Sequence, residues 1–174
     1  MEIRAVKREE VEDIRNIDRS EVINQFYYYK NSKLVLKNEY YNISGWHPNN
    51  IERNINNLYD LHDHGGSFFG LFQEERIVGV VALECKFIGS NNDQLQVVFL
   101  HIDKNYRKKG YGKILMNKAK ERAKELGAKK LYISATPSKN TVDFYIHLGC
   151  RLATEINPEL FQLEPDDIHL EMIL

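Results

Sequence analysis

Three basic side chains and two glycines stand together at Arg107-Lys108-Lys109-Gly110-Tyr111-Gly112, between a strand-like run ending at Asp103 and a helix beginning near Gly112. A helix N-terminus presents unpaired backbone N–H groups and a partial positive charge, so an anion placed there meets oriented donors without a dedicated side chain. Glycine lets a phosphate approach closely. Arg107, Lys108, Lys109 and the following Lys113 add positive field. Taken alone, the spacing also suits a solvated basic turn that merely starts a helix. A P-loop needs Gly-Lys followed by Ser or Thr, whereas Gly112-Lys113 is followed by Ile114.

The same stretch resembles the Gln/Arg-x-x-Gly-x-Gly/Ala signature of the GNAT superfamily of N-acetyltransferases, matched at Arg107, Gly110 and Gly112. Downstream, Asn140, Phe144, Tyr145 and the Leu148-Gly149 pair are similar to that family's Asn-containing helix with its Phe-Tyr and Leu-Gly signature. The likeness runs from about Ser67 to Arg151 and is looser before it. It implies an α/β (α+β) fold with a mixed, strongly bent central sheet flanked by helices, and acyl-CoA bound where neighbouring strands splay apart. It also implies an acetyl-CoA-dependent N-acetyltransferase, with acetyl-CoA as cosubstrate, a primary amine as acceptor and no metal.

Carried over residue by residue, the resemblance assigns the pyrophosphate to the loop Arg107, Lys108, Lys109, Gly110, Tyr111, Gly112 and Lys113. The pantetheine arm falls to the backbone of Phe99, Leu100, His101 and Ile102, on a strand that bulges, with Asn140 near the arm. A backbone N–H beside such a bulge can also polarise the thioester carbonyl. Tyr145 becomes the general acid that returns a proton to the coenzyme A thiolate. A phenol with an ordinary pKa near ~10 is protonated at neutral pH and able to do this. The alternatives are a tyrosine packed beside Phe144 and an asparagine that only caps its helix.

Some members of the family carry a glutamate as general base where this chain has Gln96, and an amide cannot accept the proton. Glu84, His101 or an ordered water is left to deprotonate the amine. His101 titrates in the right range, although a buried, hydrogen-bonded histidine is its plainer reading. His62 and His64 flank Asp63, but no further ligand follows at metal-site spacing, and a polar helix end accounts for them. Phe26 to Tyr29, Tyr40, Tyr41 and Trp46 make an aromatic-rich segment where the resemblance puts the acceptor pocket; a lid or a homodimer contact suits it equally.

The elements that must position these groups follow from periodicity. Glu2 to Val6 reads as a strand, and Arg8 to Arg19 as a helix carrying Val11, Ile14 and Ile17. Two β-rich segments within Gln25 to Tyr41 flank a turn at Lys30-Asn31-Ser32-Lys33. Pro48 starts a helix through Ile51, Ile55, Leu58 and Leu61 that stops at Gly65-Gly66. Ser67 to Gln73 and Arg76 to Glu84 form an antiparallel pair, with Gly79 a bulge or a close approach. Gln94 to Asp103 is the most strand-like run. A helix from about Lys113 to Leu126, a strand at Leu131 to Ala135, a helix at Ser138 to Leu148 and strands within Arg151 to Ile156 and Ile168 to Leu174 complete the chain. Strands and helices mix with neither regular alternation nor segregation.

The 174 residues fit one domain, 1–174, with no linker, repeat or low-complexity tract. The net charge of −1 hides a segregation: Lys104 to Lys130 holds eleven Lys or Arg against two Glu, and Glu155 to Leu174 holds six acidic residues and no Lys or Arg. One end attracts anions, the other cations. No nucleic-acid partner is expected, because aromatic side chains suited to base stacking are sparse on the basic face. The charged start Met1-Glu2-Ile3-Arg4 and the lack of a long apolar run imply a cytoplasmic protein without a membrane partner. Cys85 and Cys150 read as reduced core residues. A non-catalytic acyl-CoA-binding or regulatory module on the same fold is the alternative function, which the intact Tyr145 opposes and Gln96 leaves open.

Overall fold

Strong alternation and β-branched runs put the densest apolar sequence into β4 (Ser67–Gln73), β5 (Arg76–Leu83) and β6 (Gln94–Ile102). In the computed structural model, which describes residues 1–174 except for the side chain of Asn49, these three strands form an antiparallel ladder. The ladder is the middle of a seven-stranded sheet ordered β1-β4-β5-β6-β7-β9-β8, with β1 (Glu2–Ala5), β7 (Lys130–Ala135), β8 (Arg151–Leu152) and β9 (Ile168–Ile173). The pairing β6–β7 is parallel and all others are antiparallel, so the sheet is mixed as expected.

Two cores lie on its two faces. On one, α2 (Tyr111–Glu125) buries Leu115, Met116, Ala119 and Ala123 against Val81, Leu83, Leu95 and Leu131. On the other, α1 (Pro48–Asp63) buries Ile55 and Leu58 with Val11, Ile14, Val80 and Ala82. The helix expected over Arg8 to Arg19 is instead a 3₁₀ segment, Arg8–Asn16. Its apolar residues Val11, Ile14 and Ile17 recur every third position, the period of a 3₁₀ helix, so three per turn keeps them stacked on the core where 3.6 would rotate them off it.

The hairpin β2 (Glu21–Lys30) and β3 (Lys33–Ile43) stands as a separate two-stranded sheet. Its turn residues Asn31 and Ser32 both have positive φ, 50° and 62°, the requirement of a type I′ turn between twisted strands. The hairpin docks on α3 (Lys139–His147) and the loop before it: Tyr27 N–H donates to Pro137 O at 2.8 Å and the Tyr27 hydroxyl to Asp143 at 2.8 Å. The strand expected within Arg151 to Ile156 is the short pair Arg151–Leu152, beyond which the Thr154 N–H and hydroxyl turn inward to the buried Glu171 carboxylate. A short helix that periodicity did not mark, α4 (Pro158–Leu163), follows with Asn157 as its cap.

The end of β6 is fixed by a buried carboxylate. Asp103 accepts the Asp18 N–H at 3.1 Å and Arg76 at 3.0 Å on one oxygen, and the Asn105 N–H at 3.0 Å on the other. Removing the side chain takes the acceptor from two partly buried N–H groups and from Arg76. Asp103→Ala is therefore expected to lose about 2–4 kcal/mol of stability in urea unfolding; a loss within experimental error would show that the carboxylate does not hold this junction.

Candidate active site

β6 and β7 pair over three positions only, Gln94 with Lys130, Leu95 with Leu131 and Gln96 with Tyr132, and then part. Just past this point β6 bulges: Leu83 faces Val97 and Ala82 faces Phe99, which leaves Val98 unpaired. A bulge increases bend and twist, so β6 leans toward β5 while β7 stays with β9. The wedge between them opens into a cavity of about 670 Å³, a size typical of small-molecule sites. Eleven residues expected at the site line it: Phe99, Leu100, His101, Ile102, Arg107, Lys108, Gly110, Gly112, Lys113, Asn140 and Tyr145.

The glycine loop takes the shape an anion site requires. Lys108 and Gly110 have left-handed φ values of 60° and 83°, a turn of the kind that gathers successive N–H groups. Gly110 caps α2 without a side-chain bond, and the first helical hydrogen bond to it comes from Ile114, so the N–H groups between have no partner inside the helix. Gly112 is needed for space: a Cβ there would come within 3.1 Å of the Phe144 ring. Through that contact the start of α2 abuts α3, the helix that carries Tyr145. Arg107 braces the loop more than it faces a ligand, since its guanidinium donates to Ile102 O at 3.0 Å and Ser20 O at 3.1 Å. Lys109 and Tyr111 stand outside the cavity lining; Lys109 donates to Asn105 O.

Tyr145 is buried among core residues yet reaches the cavity. Burial pushes its phenol above the ordinary tyrosine range, with smaller contributions from Cys150 and Asp167. The adjacent Cys150 thiol is pushed up to about 12 by the same burial, so this corner of the fold disfavours a thiolate strongly. The neighbouring Asn140 is not free: its amide donates to Glu21 at 2.9 Å. Ser138, rather than Asn140, caps α3, accepting the Thr141 N–H.

Of the candidate bases, only His101 lies on the cavity. Its half-buried ring sits between Phe99, 4.4 Å away, and Trp46, 5.0 Å away. Burial, then Arg19 and Arg107, drive its pKa down to about 3, so the ring is neutral and weakly basic at physiological pH. Glu84 turns away from the cavity, accepting the N–H groups of Cys85 at 2.9 Å and Lys86 at 3.3 Å. Gln96 also lies off the lining.

The aromatic segment divides. Trp46 stacks on Phe99 at 5.8 Å with its indole N–H on Ile17 O, whereas Tyr29, Tyr40 and Tyr41 face solvent. From the hairpin and its approach, Arg19, Glu21, Ile23 and Ile43 enter the lining; no local motif marks them. His62 packs on Phe68, His64 bonds Asp60 O and Asp63 pairs with Arg8. Among the described residues no group of three or more His, Cys, Asp or Glu is arranged to hold a metal, and no helix is long and apolar enough to cross a membrane. Cys85 and Cys150 are both free thiols.

Residues 28–150 match the acetyltransferase (GNAT) family. No curated protein sequence matches the chain. Among solved structures, a nourseothricin acetyltransferase superposes with a TM-score of 0.71 at 18% identity, covering 99% of this chain and 97% of its own. The PaiA N-acetyltransferase of Thermoplasma acidophilum, in complex with coenzyme A, gives 0.64 at 16% identity over 99% and 98%. A GNAT family acetyltransferase of Elizabethkingia anophelis with acetyl-CoA bound gives 0.54 at 21% over 68% and 82%. These likenesses establish the fold, a mixed sheet flanked by helices.

The depressed basicity of His101 can be read directly. Its folded pKa of about 3 lies below the ordinary 6.5, so the unfolded chain binds the extra proton between these values and stability falls as pH drops through that window. Followed by NMR, the His101 ring should not titrate between pH 8 and 4.5. A midpoint near 6.5 would show that the ring is solvated and available as a base.

Proposed function

Because the chain belongs to the acetyltransferase (GNAT) family, we propose that it is an N-acetyltransferase that moves an acetyl group from acetyl-CoA to a primary amine of a small molecule or protein. The observation that carries this reading is the convergence on one cavity of three things: an uncapped helix start with basic neighbours, the open edge of a bulged strand, and the hydroxyl-bearing Tyr145. The Thermoplasma and Elizabethkingia structures, which hold coenzyme A and acetyl-CoA, support the choice of cosubstrate. The protein works in the cytoplasm, where acetyl-CoA is made and used.

In this reading acetyl-CoA supplies an activated thioester carbonyl, and the chain positions it. The N–H groups of the glycine loop and the side chains of Lys108 and Lys113 hold the pyrophosphate. The edge of β6 from Val97 to Ile102, left by β7, pairs with the amides of the pantetheine arm as another strand would. A β6 N–H near the Val98 bulge polarises the carbonyl oxygen. The amine arrives from the side of Trp46 and Arg19. No strong base faces it, so it attacks as the neutral amine, having lost its proton to water.

Tyr145 then protonates the departing sulfur. In bulk water a phenol near ~10 would give its proton to a thiolate near ~8.5 only uphill. Burial makes a thiolate beside Tyr145 a better proton acceptor than in solvent, as the Cys150 thiol pushed up to about 12 shows, but it raises the phenol as well, so the transfer stays modestly uphill and departure of the thiol draws it to completion. The raised phenol pKa keeps the donor loaded.

Tyr145→Phe removes the hydroxyl and little else. Turnover should fall by about 10²- to 10⁴-fold, with acetyl-CoA affinity and thermal stability near wild type. Full turnover in the Phe variant, under conditions where chemistry limits the rate, would eliminate Tyr145 as the acid.

A further inference from the structure

Arg19 is the one half-buried cation on the cavity wall that makes no hydrogen bond or ion pair among the described residues. Its guanidinium lies 4.8 Å over the Trp46 ring. Trp46 is itself fixed, by its N–H on Ile17 O at 2.8 Å and by its stack on Phe99. A cation–π contact of this kind orients the planar fork while leaving its N–H edges free. Burial pushes the guanidinium below its ordinary pKa, Arg107 adds to this and Glu21 opposes it. A desolvated cation without a partner is unfavourable, and a bound anion would relieve it.

The acids of the cavity wall are already committed. Glu21 accepts from Asn140 at 2.9 Å and lies 3.8 Å from Arg107. Asp143 accepts from the Tyr27 hydroxyl and pairs with Lys139. A polycationic acceptor would therefore find no uncommitted carboxylate on this wall, whereas an anionic group would complete Arg19. The guanidinium fork matches a carboxylate with two parallel hydrogen bonds.

We propose that Arg19 anchors a carboxylate of the acceptor, so that the amine acetylated by this chain is an amino acid, α or ω. The assignment rests on the acetyl-transfer reading and narrows its acceptor. The glycine loop serves the phosphates separately, through backbone donors and the exposed Lys108 and Lys113. The same fork would also fit a carboxylate on a dicarboxylic acyl chain, and that source is separable by experiment.

Trp46 is the only tryptophan of the chain, so its emission reports on the group stacked over it. Protein saturated with coenzyme A is titrated with matched pairs, phenylalanine against phenethylamine and lysine against cadaverine, following Trp46 fluorescence. Wild type should bind the carboxylate-bearing member about 10- to 100-fold more tightly, the worth of a charge-assisted pair. Arg19→Met should abolish the difference and Arg19→Lys retain part of it, with coenzyme A affinity unchanged and the melting temperature of neither variant lowered. Equal binding within the pairs, or a preference that survives Arg19→Met, overturns the anchor. So does a loss confined to succinyl-CoA affinity, which would assign the fork to an acyl chain. Thiol release from acetyl-CoA is measured on the same samples. Carboxylate-selective binding without acetyl transfer counts against the transferase reading and leaves the anchor standing; transfer that ignores the carboxylate does the reverse.

Discussion

Everything at the site depends on β6 and β7 being neighbours for three residues and then not. A parallel pair that separates inside a sheet leaves backbone N–H and C=O groups without ladder partners, which is unfavourable unless water or a ligand meets them. Two features hold the wedge open. The bulge at Val98 bends β6 toward β5, and β9, paired with β7 over six positions, holds the other side back. Because α2 begins shortly beyond the end of β6, the strand that offers the open edge also delivers the helix start. The Asp103 carboxylate locks that junction to β5 and to the loop entering β2, so the geometry is set by the core and not by an exposed loop.

The electrostatics of the cavity change along its length. At the glycine loop the field is positive and exposed, suited to phosphate. Around Tyr145 and Cys150 burial dominates, and both groups are held in their protonated, neutral forms. Past Phe99 and Trp46 the wall is aromatic, with a neutral His101 and a charged Arg19. Such a gradient keeps a proton on the phenol, makes a thiolate costly and leaves no strong base on the wall. Phe144 ties the first two zones together, because its ring occupies the space beside Gly112 while its neighbour Tyr145 reaches the buried part of the cavity.

The part of the cavity wall around the glycine loop and Tyr145 was legible in the sequence because its signals are local. Arg107, Gly110 and Gly112 sit within six residues, Tyr145 belongs to a helix with its own start and stop, and the strands and helices from Ser67 to Arg151 follow ordinary periodicity. The opposite wall was not. Arg19 and Glu21 reach the wall only because a hairpin docks on α3 through Tyr27, Pro137 and Asp143, contacts more than a hundred residues apart in sequence. Glu84 is close to β6 in the ladder, but its carboxylate closes its own turn, a rotamer choice that spacing does not encode. The 3₁₀ segment was written in the strict three-residue spacing of Val11, Ile14 and Ile17, and α4 in the Asn157-Pro158 cap; both signals are short and easily outweighed by a helical or strand-like reading.

Amide hydrogen exchange with and without acetyl-CoA reads the backbone groups left open by the parting strands. If the ligand lies along the wedge, exchange slows at residues 97–102, between the bulge and the end of β6, together with residues 110–113 at the start of α2. Saturating acetyl-CoA that leaves both stretches unchanged, or protects amides elsewhere on the molecule instead, would contradict it.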